Sequence, residues 1–187
     1  MKKSMGPQTW LFPTPALVVA TYDGDGRPNA MTAAWGGICC SRPPAVAVSL
    51  REATYSYGNI VRRKAFTVNI ASADQAAAVD YFGMVSGRNE DKFRSAGLTP
   101  VRSRRVEAPM VEEFPLVLEC RLMETVHIGL HTQFIGEILD VMVDESVLDD
   151  RGMPVMEALR PIMYAPGIQQ YFGVGEPLGK AFSLGRR

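Results

Sequence analysis

The sequence predicts a mainly β, single-domain barrel that carries helical additions. Three observations lead there. Short runs rich in β-branched and apolar residues recur along the chain, Gly, Pro and Asp turn signals separate them, and helical patterns fall between them only in the first half. A doubly wound sheet needs regular strand–helix alternation, which the second half lacks. With 187 residues and 47% hydrophobic content, the chain suits one unit, residues 1–187, with a sizeable core.

The elements follow in order. Ala16 to Tyr22 reads as a strand, and Asp23-Gly24-Asp25-Gly26 as a turn, because Asp and Gly tolerate positive φ. A second strand is expected from Pro28 to Trp35. Pro43-Pro44 breaks the chain before a strand over Ala45 to Leu50, and Ala65 to Ile70 gives another. Thr54 is the expected N-cap of a helix reaching about Arg63, and Ser72 of one covering Asp74 to about Val85. A short turn from Asp91 to Ala96 ends on Gly97, which suits a C-cap. Leu116 to Leu122 alternates apolar and polar side chains, as a half-buried strand does. Phe134 to Val143 reads as a long partner strand, with the Gly129-Leu130-His131 region between the two.

Composition excludes several functions. Lys+Arg and Asp+Glu balance at 20 each, so the basic excess of a nucleic-acid binder is missing. Arg62-Arg63-Lys64 and the Arg102 to Arg105 cluster read as solvated faces. Cys39, Cys40 and Cys120 make neither a disulfide framework nor a zinc spacing. They point to buried thiols in a reducing cytoplasm. The apolar run Ala16 to Ala20 is too short for a signal peptide or a membrane span. His127 and His131 lack an acidic cluster that would make a metal site. Gly24-Asp25-Gly26-Arg27-Pro28-Asn29 fails the dinucleotide fingerprint at Asn29, and Pro28 stands where its helix would open.

The run Pro28-Asn29-Ala30-Met31-Thr32-Ala33-Ala34-Trp35 resembles the flavin reductase-like, FMN-binding split-barrel family, its flavoredoxin-like members most of all. Further stretches match in order: Pro43-Pro44 with Val48-Ser49-Leu50-Arg51, Phe66-Thr67-Val68-Asn69, Asp80-Tyr81-Phe82-Gly83, Asp91-Lys92-Phe93 and Leu118-Glu119-Cys120. His131, Ile135-Gly136-Glu137, Tyr164 and Gly175 complete the set. The resemblance covers about residues 10–182. It implies a split β-barrel, a homodimer, and FMN held near the subunit interface. Mapped by motif, it places flavin contacts on Asn29, Met31, Thr32 and Trp35, on Ser49, Leu50 and Arg51, and on Ser56, Lys92, His131 and Tyr164. Thr32 and His131 are the expected positioning residues, and no essential acid or base is implied. NADH or NADPH is the implied transient donor, with free flavin or a redox partner protein as acceptor. The alternative is an electron carrier with permanently bound FMN, fed by a protein partner. No metal, nucleic acid or membrane partner is expected.

The residue types suit those roles. An anionic phosphate is held by positive charge and by free N–H groups at a helix N-terminus. Arg51, Ser56 and the helix opening near Thr54 supply these together, and Lys92 adds a second charge. A flat flavin ring needs close backbone approach, and Asn29 to Gly37 offers an amide, a hydroxyl, alanines, glycines and one indole. A barrel corner would favour the same small residues, so both readings stand. Trp35 is either packing or a cofactor wall, and His131 either structural or a donor at the flavin.

Overall fold

A computed structural model describes residues 1–185. β1 (Thr14–Pro15), β2 (Leu17–Tyr22) and β3 (Pro28–Ala33) are followed by β4 (Gly36–Ser41) and β5 (Pro44–Arg51). α1 (Tyr55–Arg63) leads into β6 (Ala65–Ile70). A 3-10 turn at Ala73–Gln75 runs into α2 (Ala76–Met84), and α3 (Lys92–Ala96) precedes β7 (Pro100–Arg102) and β8 (Pro109–Val111). The long hairpin of β9 (Leu116–Ile128) and β10 (His131–Val143) comes next, then α4 (Met156–Leu159), β11 (Ile162–Ala165) and β12 (Gln170–Gly173).

Chain connectivity closes the barrel. The main sheet has seven antiparallel strands in the order β3-β2-β6-β9-β10-β5-β4. β3 and β4 are its opposite edges, yet only Ala34 and Trp35 separate them in the chain. Laid flat, the edges would stand about 29 Å apart at the usual strand spacing. The link from Ala33 to Gly36 reaches about 11 Å fully extended. The sheet must therefore curl until its edges meet. They meet at a seam without a ladder: β3 pairs with β2 and β4 with β5, and the Ser49 N–H, donating to the Trp35 carbonyl at 2.7 Å, carries the β4–β5 pairing into the link. The result is a split barrel. β1, β11 and β12 form a second, three-stranded sheet.

The strands form where their side chains have two faces to fill. β2 is buried throughout except at Tyr22. Leu17 and Val19 point into the barrel with Val48, Phe66 and Phe134, whereas Val18 and Ala20 pack outward against Val79 and Phe82 of α2. That two-sided burial explains an apolar run without alternation. α1 plugs the barrel with Ile60, and its Tyr57 meets Phe134 edge-on at 5.2 Å. Each such fully buried large side chain contributes about 1.5–3 kcal/mol. Buried Asn69 ties the layers: its amide donates to the Val18 carbonyl at 3.1 Å and accepts the Val111 N–H at 2.9 Å. Buried Glu119 accepts the N–H groups of Arg104 and Arg105, pinning the β7–β8 loop.

Several expectations need correction. The strand expected from Pro28 to Trp35 stops at Ala33, because the chain must cross the seam there. β4 was not anticipated. Pro43-Pro44 lies at the β4–β5 turn, and Pro44 starts β5. Cys39 and Cys40 are exposed on that edge strand; only Cys120 is buried. Burial, then the neighbouring Glu119 charge, pushes the Cys120 thiol up to about 12, so it stays protonated and inert. Ser72 opens the second helical stretch as expected, its N–H donating to Gln75 Oε1 at 2.7 Å.

Gly136 on β10 is a position where only a hydrogen fits. A Cβ there would lie 2.6 Å from Phe66 Cζ and 3.0 Å from Cys120 Cβ. Phe66 is fully buried and has nowhere to move. Gly136→Ala is expected to lower stability by about 1–3 kcal/mol, the usual cost of overpacking, read as a shift of the urea midpoint at unchanged slope.

Candidate functional site

The seam opens into a cleft. A first chamber of about 580 Å³ lies between the end of β3, the end of β5, α2 and the small sheet. β3 and the link contribute Met31, Thr32 and Trp35; β5 contributes Ser49, Leu50 and Arg51. His131 enters from the start of β10 and Tyr164 from β11. A second chamber of about 360 Å³ carries Asn29, Ser56 and Lys92. Met31, Arg51, Thr54, Gly83 and Met84 border both chambers, which are therefore continuous. All eleven residues nominated from the sequence line one chamber or the other.

The first chamber mixes polar and apolar lining, with Thr32, Ser49, Arg51, Asp80 and His131 beside Met31, Leu50 and Trp35. Alanines 33 and 34 leave backbone accessible on one side. Tyr164 and Tyr171 also line it, their ring centroids 5.4 Å apart and their planes tilted by 48°. Burial, then Asp80, pushes the Tyr171 phenol up to about 12, so it remains a donor and bonds Asp80 Oδ1 at 3.2 Å. The Thr32 hydroxyl donates to the Val79 carbonyl of α2. Its proton is thus committed, and only acceptor lone pairs remain for a ligand. The His131 residue pairs with Arg51 across β10 and β5, which fixes both beside the chamber.

The second chamber gathers positive charge. Arg51, Arg88 and Lys92 line it. α1 points its N-terminus there, with no acidic residue in its first turn. Thr54 occupies the N-cap position but does not cap: its hydroxyl donates to the Arg51 carbonyl at 2.9 Å. The expectation of a capped helix is corrected here, and the first-turn N–H groups keep their capacity for an anion. Asn29 Nδ2 donates to Ser56 Oγ at 2.9 Å, while Asn29 Oδ1 is buried without a partner. A buried amide oxygen left this way costs about 1–3 kcal/mol, which a hydroxyl-bearing ligand would recover. Gly87 passes so close that a Cβ would lie 2.0 Å from that oxygen.

Lys92 has a double role. Its Nζ donates to the carbonyls of Phe82 and Val85 at 2.8 and 3.0 Å, closing the C-terminal end of α2. Two of its three donors are thus spent on protein, leaving one for the chamber. Arg88, Met84, Gln169, Tyr171 and Asp80 also reach the cleft, and sequence reasoning named none of them as a site residue. Gly83 and Asp80 stood in a quoted motif, whereas Gln169 and Tyr171 carried no local signal.

The residues present fit a flavin mononucleotide: a chamber of about 580 Å³ lined by Trp35, Tyr164 and Tyr171 for the ring, an orphaned acceptor for a ribityl hydroxyl, and cations with free N–H groups for a phosphate. The sequence matches the flavin reductase like domain over residues 9–171. The flavoredoxin of Desulfovibrio vulgaris (Miyazaki F) is 54% identical, covers 100% of both chains and superposes at TM-score 0.96. A flavoredoxin of Methanosarcina acetivorans is 26% identical at TM-score 0.92, covering 100% of this chain and 98% of that one. The reductase component of an FADH(2)-dependent resorcinol hydroxylase from Rhizobium sp. is 29% identical over 137 residues, 72% of this chain and 74% of that protein.

Burial lowers the Lys92 ammonium to about 8, with Glu90 partly opposing. Between about pH 8 and the usual lysine value, the unfolded chain therefore binds more protons than the native one, and stability rises with pH. Lys92→Met is expected to remove that slope, which urea titrations at pH 7.5 and 9.5 on both proteins would measure. The chain belongs to the flavin reductase like family and is by that membership a flavin-related oxidoreductase or electron carrier.

Proposed function

We propose that the protein is an FMN oxidoreductase, the flavin when bound taking a hydride from NADH or NADPH and passing electrons to an acceptor. The observation that carries this reading is one continuous cleft, aromatic side chains Trp35, Tyr164 and Tyr171 among polar ones in the first chamber and the cations Arg51, Arg88 and Lys92 gathered in the second. That order of groups follows the molecule it would hold. In such proteins the cofactor supplies the redox chemistry, and the chain supplies position and electrostatics. Thr32 offers an acceptor along the ring edge, and His131 and Tyr164 bound the space beside it. Arg51, Lys92 and the open end of α1 hold the phosphate. A second reading, a flavoredoxin-like carrier fed by a protein partner, is favoured by the 54% identity over the full length of a flavoredoxin.

Anaerobic mixing of FMN-saturated protein with NADH or NADPH separates the two. Rapid bleaching of the flavin absorbance is expected for the reductase and names the nicotinamide donor. A persistent yellow spectrum, bleached only by a reduced redox protein, would establish the carrier. Absence of any FMN binding would sink both.

A homodimer belongs to the same reading. Beside His131 the β9–β10 hairpin leaves Val126, Ile128 and Leu130 exposed, Leu130 at 68%. Apolar side chains clustered this way mark a surface that another molecule covers. Light scattering is expected to give twice the chain mass, and a stable monomer at micromolar concentration would refute pairing.

A further inference from the structure

We propose that Cys39 and Cys40 form a surface site for one soft, thiophilic cation of the copper(I) type, held by their two thiolates. The site lies on β4 and is independent of the flavin reading.

Adjacent cysteines on a regular strand are poorly placed to share a ligand, because consecutive side chains point to opposite faces of a sheet. β4 is not regular at this pair. Ile38 pairs with Val46, but Cys40 pairs with Ala45, so three residues of β4 span two of β5. One residue is extra, and the alternation fails once between Ile38 and Cys40. Such a bulge bends its strand and re-aims side chains. β4 is also a sheet edge, paired with β5 alone, and both thiols are exposed. An ion therefore reaches both sulfurs from solvent without displacing any strand.

The pair is unsuited to the other common use of two thiols. The peptide bond between them is trans, which sets their Cα atoms ~3.8 Å apart. A disulfide favours a separation of about 4.4–6.8 Å. A bridging ion relaxes this constraint, since two metal–thiolate bonds of about 2.3 Å each let the sulfurs stand up to about 4.6 Å apart.

Chemistry then selects the ion. Among the described residues, no group of three or more His, Cys, Asp and Glu stands together to hold a metal. A structural zinc requires four ligands, and calcium requires a cage of oxygens. Copper(I) is selected by thiolates, and two of them in line satisfy it. Binding releases the two thiol protons and leaves a bis-thiolate complex with one net negative charge. Arg42 follows two residues later, in the turn between β4 and β5, and its charge offsets that of the complex. The Arg42 carbonyl accepts the Cys40 S–H at 3.3 Å, a weak bond that costs little to give up.

The test is an anaerobic competition on the full, reduced chain. Copper(I) is supplied as its bicinchoninate complex, whose absorbance falls as the protein takes the metal. The wild type is expected to remove one copper per chain. Cys39→Ser and Cys40→Ser each delete one of only two ligands at an exposed position. Each is expected to weaken the site by about a hundredfold, equal to about 2.8 kcal/mol, with FMN binding unchanged. Iodoacetamide followed by peptide mass spectrometry should label both thiols in the metal-free protein and neither with one copper bound. Equal copper uptake by a Cys39→Ser/Cys40→Ser double variant would overturn the proposal, because the metal would then sit elsewhere. One copper per two chains would also overturn it, since the thiols would then bridge copies and not share an ion within one. Displacement of the copper by equimolar zinc(II) would refute the assignment of the ion.

Discussion

Two residues, Ala34 and Trp35, set the shape of this protein. They join the opposite edges of a seven-stranded sheet, and no flat arrangement allows so short a link. Closure follows, and so does its imperfection. A continuous ladder would have required the two edges, β3 and β4, to pair, but β3 pairs with β2 and β4 with β5. The Ser49 N–H donating to the Trp35 carbonyl carries the β4–β5 pairing into the link itself. The cleft lies along this seam because a seam is where a barrel has backbone and side chains facing outward without a neighbour. Ala33, Ala34 and Trp35 on one lip and Ser49, Leu50 and Arg51 on the other all line it.

The second half of the cleft depends on how α1 and α2 are anchored to that seam. Asn29 at the start of β3 holds Ser56 in the first turn of α1, so the helix N-terminus points into the chamber and cannot tilt away. Lys92 from α3 closes the last carbonyls of α2, which keeps Gly83 and Met84 on the boundary between chambers. Both contacts are buried, and both leave something over. Asn29 retains an acceptor and Lys92 a donor. Both residues line the second chamber, so a ligand there lies beside groups whose hydrogen-bonding capacity the protein has not fully used.

Most of the barrel was legible in the sequence because its strands bury one or two complete faces. β2 reads as an apolar run and Leu116 to Leu122 as an alternating one, although β9 itself runs on to Ile128 before the turn with Gly129 at positive φ. β4 was hidden. Gly36-Gly37-Ile38-Cys39-Cys40 has no alternation because the strand is a sheet edge with a bulge between Ile38 and Cys40, and its side chains meet solvent. For the same reason the thiols expected inside lie outside. Thr54 read as a cap because its position is right, but its hydroxyl found a nearer acceptor in Arg51. The site residues carried by β3, β5 and β10 were visible through short motifs. Gln169, Tyr171 and Arg88 were not, because a turn and a loop bring them to the cleft only after the small sheet and α2 have packed.

Whether such a cleft serves a reductase or a carrier turns on the space beside the ring and not on how the ring is held. Hydride transfer requires a second planar ring to lie face to face with the first. Single-electron exchange with a protein needs only an exposed edge. Here Tyr164 and Tyr171, their rings tilted against each other, line the first chamber, and Tyr171 is tied back to Asp80 on α2. The bond is a single one, between a partly exposed phenol and an exposed carboxylate. Such a bond holds the wall by about 1 kcal/mol, comparable with what one stacked aromatic contact returns. The wall is therefore neither locked nor loose. A nicotinamide that displaces the Tyr171 edge gains in stacking roughly what the phenol loses in hydrogen bonding, while an electron-transfer partner docking at the rim leaves the pair in place. Tyr171 is thus a wall residue held by a single hydrogen bond, beside a cleft whose shape suits either proposed reading.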